Sequence, residues 1–598
     1  MTLRHPGRTL VRRPSASGAD TADTPDTALL SPTFPTHALP APETPPPALT
    51  RLQIKQARVA SPRTVTSRAR LQSPSLISIV LLAGLGALLY GGFLLNPRNI
   101  GDPLPFAIVI ICELYLIGQA ALTMWTALSS TYDPRDATFH AARATLFGSP
   151  VDGIPIGDDL YLGRRRITVD VLITTYNEDP VIIEGTARAA RDMHGTHGTW
   201  LLDDGDDPRV AEIAERLGIR YVVREDRSGA KAGNVNHALR LSTADFAVMI
   251  DADFVVVPEF LEETLPFFLH DDVAFVQAPQ VYGNAHNFIS RGSAYMQIVF
   301  YALTQPGKNK YNSAFCVGTN AVFRRTALDD IGGMYEGSQS EDIWTSIFVH
   351  ERGWRSIFVP MTLAVGRTPE TIEAFVRQQV RWAVGGFEIF LRHNPFSPRR
   401  RLTTDQRMQY FMTVTFYFTG IVPLGLIVLP PMQIYLNITP VSLEVPLLQW
   451  ILFYCGFYVL QIGLALFIIG SFRWETLLLS TVTFPMYTKA FFLAVAGRKP
   501  SWTSTGATGQ AASPFDFIKV QMVFLVFLSA TTVVGFLKAE WTAEYSVALV
   551  WNILNTLTLG AFAVIAAREH IALKRAAKAE LAGTVLVTGR RRLAAGAA

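Results

Sequence analysis

The run Phe246-Ala247-Val248-Met249-Ile250-Asp251-Ala252-Asp253 is an unbroken apolar stretch that stops on a carboxylate and meets a second one two residues later. A short continuous apolar run of this kind suits a strand covered on both faces, as in the middle of a parallel sheet. The residues before it alternate in the same manner. The pattern predicts a strand over 169–174, a helix over 181–193, a strand over 199–202 that ends at Asp203, and a helix over 209–217. A strand over 221–223 and a helix over 232–241 then lead into the quoted strand, 246–250. This βαβα order predicts a doubly wound α/β domain whose ligands sit beyond the carboxyl ends of the strands. Asp203-Asp204-Gly205 and Asp251-Ala252-Asp253 both fall at such ends.

Around that domain the chain is apolar in long runs. Its 598 residues are 49% hydrophobic, with a mean hydropathy of +0.24. Stretches long enough to cross a bilayer lie at about 76–95, 104–128, 410–430, 446–470, 517–537 and 545–567. Connections near 97–103, 437–444 and 538–544 hold only one Arg and one Lys, whereas the remaining connections and tails are basic. The positive-inside rule therefore puts both termini and the central domain on the cytoplasmic side of a multi-pass membrane protein. The segment 472–497 carries Arg473, Glu475, Pro485 and Lys489, which fits an amphipathic helix in the interface better than a seventh span. Glu113 lies inside the second span and reads either as a functional carboxylate or as one paired locally.

Composition narrows the remaining choices. A net charge of +4 is too mild to point to nucleic acid, and three scattered cysteines give neither a disulfide framework nor a metal spacing, as expected for a domain facing a reducing cytoplasm. The expected organisation is a disordered Pro-rich basic tail (1–70), two spans (71–130), and a cytosolic domain with interfacial helices (131–400). Four further spans with an interfacial helix (401–570) and a basic tail (571–598) complete it.

Each acidic cluster suits a task. Asp251 and Asp253 offer hard oxygen ligands for Mg²⁺ or Mn²⁺ shared with a diphosphate. In Ser340-Glu341-Asp342, ahead of an apolar helix, Ser340 fits the N-cap and Asp342 fits a general base, with Glu341 beside it. Gln378, Arg381 and Trp382 share one helical face, where Arg can clamp a diphosphate and the indole can carry a sugar ring.

Across roughly residues 75–567 these motifs resemble the processive family 2 glycosyltransferases, close to bacterial cellulose synthase catalytic subunits and related β-glucan synthases. The resemblance implies a GT-A type domain within about six transmembrane helices, in a bacterial plasma membrane. It adds Thr175-Tyr176-Asn177-Glu178 as a nucleotide-binding loop and Lys231 as a UDP contact, with Asp203, Asp204 and Asp251 also on the donor. Gln277-Ala278-Pro279-Gln280 is similar to a segment near the donor and acceptor sugars, and 499–505 to a gating loop with Trp502 and Thr505 at its aromatic and Thr positions. The implied chemistry is inverting transfer from UDP-glucose to the end of a growing polysaccharide that the same chain threads across the bilayer, with accessory export subunits as further partners. Alternatives are another UDP-sugar in the same machinery (a chitin- or hyaluronan-like product), a non-processive glycolipid synthase, or an inactive scaffold. Departures from the cellulose pattern leave a (1→3)-linked glucan open: Gln379 for Arg, Phe315-Cys316-Val317-Gly318-Thr319-Asn320, Ser340 for Thr, and Gly506-Ala507 without a Lys. The tail after Ala567 is too short for a cyclic-di-GMP-binding barrel, so direct control by that nucleotide is not expected.

Overall fold

The computed structural model describes residues 74–130, 133–147, 159–499, 512–542 and 546–595. The expected disordered tail, Trp502 and Thr505 lie outside them.

Seven strands form the central sheet: β1 Val169–Thr175, β2 Gly198–Asp203, β3 Arg220–Val222, β4 Phe246–Asp251, β5 Val273–Gln277, β6 Ala321–Arg324 and β7 Arg355–Phe358, in the order β7-β5-β6-β4-β1-β2-β3. The half built from β1 to β4 follows the expectation within a residue or two. The sheet is buried on both faces: Val171 and Ile173 of β1 join one core cluster while Leu172, between them, joins the other. That two-sided burial is why these strands read as continuous apolar runs.

The other half departs from a purely parallel plan. β6 runs antiparallel to both β4 and β5, with Ala321 opposite Met249 on one side and Gln277 on the other. Because β6 starts where its two neighbours end, the residues just before it, Val317–Asn320, are delivered to the same edge as Asp251. A small sheet of Val255–Val256, Val281–Tyr282 and Ala364–Gly366 extends from that edge.

Among the described residues six helices are long and apolar enough to cross a membrane: Pro74–Leu94, Pro103–Leu128, Thr404–Leu436, Leu447–Ile468, Lys519–Trp541 and Val547–Arg575. The third begins six residues before the expected 410, because Thr403 and Gln406 close a capping box ahead of the apolar run. The last helix continues to Ala595, so the residues expected as a tail extend the span as helix. Segment 472–497 forms two helices, Trp474–Val482 and Phe484–Val495, bent by 44°. Both are tied to elements outside the segment, Glu475 by an ion pair with Arg291 at 3.1 Å and Tyr487 by donating to Gln379 at 2.6 Å. Glu113 is fully buried and accepts from Tyr458 Oη at 3.1 Å on each oxygen, which is local pairing between spans.

Candidate functional site

Register places the site before any side chain is considered. Thr175 of β1 stands opposite Asp203 of β2, and Thr174 stands opposite Asp251 of β4, so three strand ends finish in one row. Thr175 Oγ1 is buried there without a protein hydrogen-bond partner.

The first acidic pair is engaged by contacts within the chain. Asp203 accepts from the backbone N–H groups of Gly205 (2.7 Å) and Asp207 (2.9 Å) and from Tyr221 Oη (2.9 Å). Asp204 makes a two-pronged ion pair with Arg224, 2.7 Å on each prong, both side chains buried. Arg224 also donates to the carbonyls of Ser228 and Ala230, so the pair braces the turn that launches Lys231. Asp204→Asn leaves this guanidinium short of charge and is expected to destabilise the fold by about 2 kcal/mol, read as a lower denaturation midpoint.

The second pair faces the cleft. Asp251 accepts from Lys231 Nζ, which also donates to the Gly318 carbonyl at 2.7 Å, and the Asp251 N–H donates to Thr319 Oγ1 at 2.9 Å. Asp253 has no side-chain hydrogen bond or ion pair among the described residues; burial first, then Asp251 and Glu178, drive its carboxyl well above the ordinary range. Glu178 accepts from the Tyr176 N–H at 2.5 Å and is pushed up to about 7, mainly by burial, with Asp251 and Asp203 adding to it. Among the described residues no three carboxylate, His or Cys groups form a closed metal cage. The donor set instead fits a hard cation that brings its other oxygens from a diphosphate and water, since Asp253 is an unpartnered carboxylate crowded by two more.

Glu341 and Asp342 open the helix Glu341–Glu351. Ser340 occupies the N-cap position, but its side chain makes no capping bond; Asp342 Oδ1 accepts from the Ile343 N–H at 2.8 Å. Burial, then the neighbouring Glu341, raises the Asp342 carboxyl, and Lys231 and Arg381 pull it part of the way back. Gly318 explains why these groups meet. Its φ is +90°, and a Cβ placed on it would lie 3.5 Å from Asp342 Oδ2 and 3.7 Å from Lys231 Nζ. The base candidate, the lysine and Asp251 therefore surround one turn. Spacing gave no sign of Gly318 as a hub; only the antiparallel β6 brings it there. Gln277 and Gln280 hold the same turn, Gln277 accepting from the Val317 N–H (3.0 Å) and Gln280 donating to the Val317 carbonyl (2.9 Å).

The helix Ile372–Arg392 closes the site. A Cβ on Gly385 would fall 1.8 Å from Ser340 Oγ, so this helix rests directly on the acidic loop. Arg381 has no hydrogen bond or ion pair among the described residues, yet it acts on both Glu341 and Asp342. Gln378 Oε1 is buried without a hydrogen-bond partner among the described residues, and Trp382 is half-buried. Gln379, where the cellulose pattern has Arg, accepts the Tyr487 hydroxyl, a role an arginine does not fill. Tyr417 of the third span packs on Gly386, so this helix also rests on the membrane-spanning part of the chain.

Residues 246–494 match the family model described as glycosyl transferase family group 2. The cellulose synthase catalytic subunit [UDP-forming] of Xanthomonas axonopodis pv. citri is 28% identical over 414 residues, covering 62% of this chain and 57% of that protein. Its counterpart in Pseudomonas fluorescens is 31% identical over 263 residues, covering 42% and 36%. The chain thus spans between a third and just over half of the length of these curated relatives. Among solved structures, a mannosyltransferase from Pyrobaculum calidifontis in complex with GDP-Man and Mn²⁺ aligns with a TM-score of 0.43 at 15% identity, over 66% of this chain and 100% of that one.

Proposed function

We propose that this chain, similar to glycosyl transferase family group 2 over residues 246–494, is a processive inverting glycosyltransferase. In this reading it polymerises glucose from UDP-glucose into a β-glucan and moves the product across the membrane. The observation that carries the reading is the convergence on Gly318: an acid, a lysine and a strand-end aspartate around one turn, with an arginine on a neighbouring helix whose charge acts on the acid.

In this mechanism Asp342 accepts the proton of the acceptor hydroxyl as that oxygen attacks the anomeric carbon. Lys231 and Arg381 bind the diphosphate and counter the charge that grows on it as it leaves. Gln378 Oε1 and Thr175 Oγ1, lacking protein partners, are the polar atoms for donor or acceptor hydroxyls. Trp382 supplies a flat surface for the acceptor sugar. Asp251 and Asp253 would hold Mg²⁺ or Mn²⁺, which neutralises diphosphate charge when bound. Asp203 and Asp204 act indirectly, by shaping the loops that carry Lys231. Arg381→Ala is expected to lower kcat/KM about 100-fold, with Arg381→Lys intermediate, measured by UDP release.

The test uses inverted membrane vesicles supplied with labelled UDP-glucose and Mg²⁺. The insoluble product is then digested separately with β-(1→4)- and β-(1→3)-specific glucanases. Sensitivity to one enzyme supports the reading and fixes the linkage. A polymer formed only from another UDP-sugar keeps the mechanism and replaces the donor; UDP release without any polymer overturns processive synthesis.

A further inference from the structure

The helix that carries Gln378, Arg381 and Trp382 begins at Ile372, and its first N–H groups have no partner within the helix. Thr371 Oγ1 accepts from the Ala374 N–H at 3.2 Å, an ordinary local cap. The Ile372 N–H goes elsewhere. It donates to both carboxylate oxygens of Glu569, at 3.0 and 3.1 Å, and Glu569 belongs to the inner end of the last span.

Neighbouring contacts make this junction a built one. Glu373 accepts from the Ala512 N–H at 3.1 Å and pairs with Arg377 at 2.8 Å, and Arg377 lies over the Phe517 ring at 5.5 Å. His570, next to Glu569, reaches Ser513 Oγ at 3.4 Å and meets the Phe515 ring edge-on at 5.8 Å. Beneath these polar contacts Ile372, Phe375, Phe562 and Ala566 share one buried cluster. A carboxylate at a helix N-terminus is also favoured by the helix dipole.

We infer that Glu569 is a positioning residue that ties the inner end of the last span to the diphosphate-facing helix, so that UDP binding and the placement of that span are coupled. The inference rests on the function proposed above for Gln378 and Arg381. Arg381 lies nine residues into the helix, about 14 Å along a stiff rod from the clamped N–H. An axial shift at Ile372 is therefore carried to the guanidinium. Further along the helix Tyr487 holds Gln379 and Ser340 rests on Gly385, while at its N-terminal end Glu569 acts beside the Ala512 and Phe517 contacts on Glu373 and Arg377. Coupling of this kind is reciprocal: if Glu569 sets UDP affinity, bound UDP must steady the Glu569 contact.

The experiment measures UDP affinity of the purified full chain, with Mg²⁺ present, by calorimetry. Glu569→Ala is expected to weaken UDP binding about five-fold, whereas Glu569→Gln, which keeps an acceptor oxygen, stays within about two-fold. A purely structural cap would lower the melting midpoint and leave the affinity of the folded protein unchanged; that result overturns the inference. Hydrogen exchange on the unmutated chain needs no variant to fold. UDP should slow exchange across 372–375 and around 569, and unchanged exchange in both segments, with UDP bound, overturns it as well. If the unmutated chain binds no UDP, the proposed function fails. The latch is then tested by whether Glu569→Ala speeds exchange of the Ile372 amide, and unaltered exchange there removes it.

Discussion

Asp342→Asn is expected to reduce sugar transfer about 10³-fold, near 4 kcal/mol of transition-state stabilisation, while UDP binding stays within about three-fold. Asparagine matches the carboxylate in shape and can still accept from the Ile343 N–H, so the first turn of the helix Glu341–Glu351 keeps its geometry. It has no basicity for the acceptor proton. Stability should move the opposite way. Burial and Glu341 raise the Asp342 carboxyl in the folded state, so the ionised form opposes folding above the folded-state value, and this penalty is relieved as pH falls through that value toward the unfolded one. Removing the charge should therefore raise the melting midpoint. A variant that is less active and more stable identifies a group held in a strained protonation state for chemistry. A variant with normal turnover would end the assignment.

The same shift sets the pH dependence. Transfer needs the carboxylate, so the rate should fall on the acid side, by one decade per pH unit below the folded-state value. Because that value is raised, the acid limb should lie well above the ~3.9 of a free aspartate. Glu178, pushed up to about 7, accepts only from backbone N–H among the described residues, so its protonation should appear in UDP binding. Comparing kcat with kcat/KM across pH separates the two groups, and an acid limb in kcat at the ordinary aspartate value would show that the burial of Asp342 does not survive substrate binding.

How far the chain could be read in advance depended on where its information is local. β1, β2 and β4 announce themselves because each is apolar on both faces and stops at a polar residue, a pattern that survives without knowledge of neighbours. Register then turns three separate stops, Thr175, Asp203 and Asp251, into one row. What could not be read was non-local. β6 is a four-residue strand with no alternation to mark it, yet its antiparallel direction brings Gly318 between Lys231 and Asp342. The division of labour between acidic pairs was equally hidden. Asp203-Asp204 and Asp251/Asp253 look alike as text; only Arg224, twenty residues on, turns Asp204 into a brace. Glu569 lay almost two hundred residues from the helix it caps, beyond any spacing rule.

Removal of divalent cation is expected to stop synthesis altogether, with a fall of at least about 10³-fold in UDP release that Mg²⁺ or Mn²⁺ restores. The reason is an excess of negative charge at the row of strand ends. Asp251, Asp253 and Glu178 crowd one another, and burial and mutual repulsion already drive Asp253 and Glu178 upward. Against them stand Lys231, paired with Asp251, and Arg381, whose charge also acts on Glu341 and Asp342. A diphosphate brought to this edge meets like charges, each worth on the order of 3 kcal/mol at ~5 Å in a medium of effective dielectric ~20. One lysine and one arginine, both already shared with carboxylates, do not offset this acidic cluster and a diphosphate. Asp253→Asn should therefore raise the cation concentration needed for half-maximal activity at least about ten-fold and, at saturating cation, leave part of the rate. Chelator-resistant synthesis would remove the cation role of Asp251 and Asp253, and would require that Glu178 and Asp253 bind the donor in their protonated forms. Activity would then rise, not fall, as the pH is lowered toward 7.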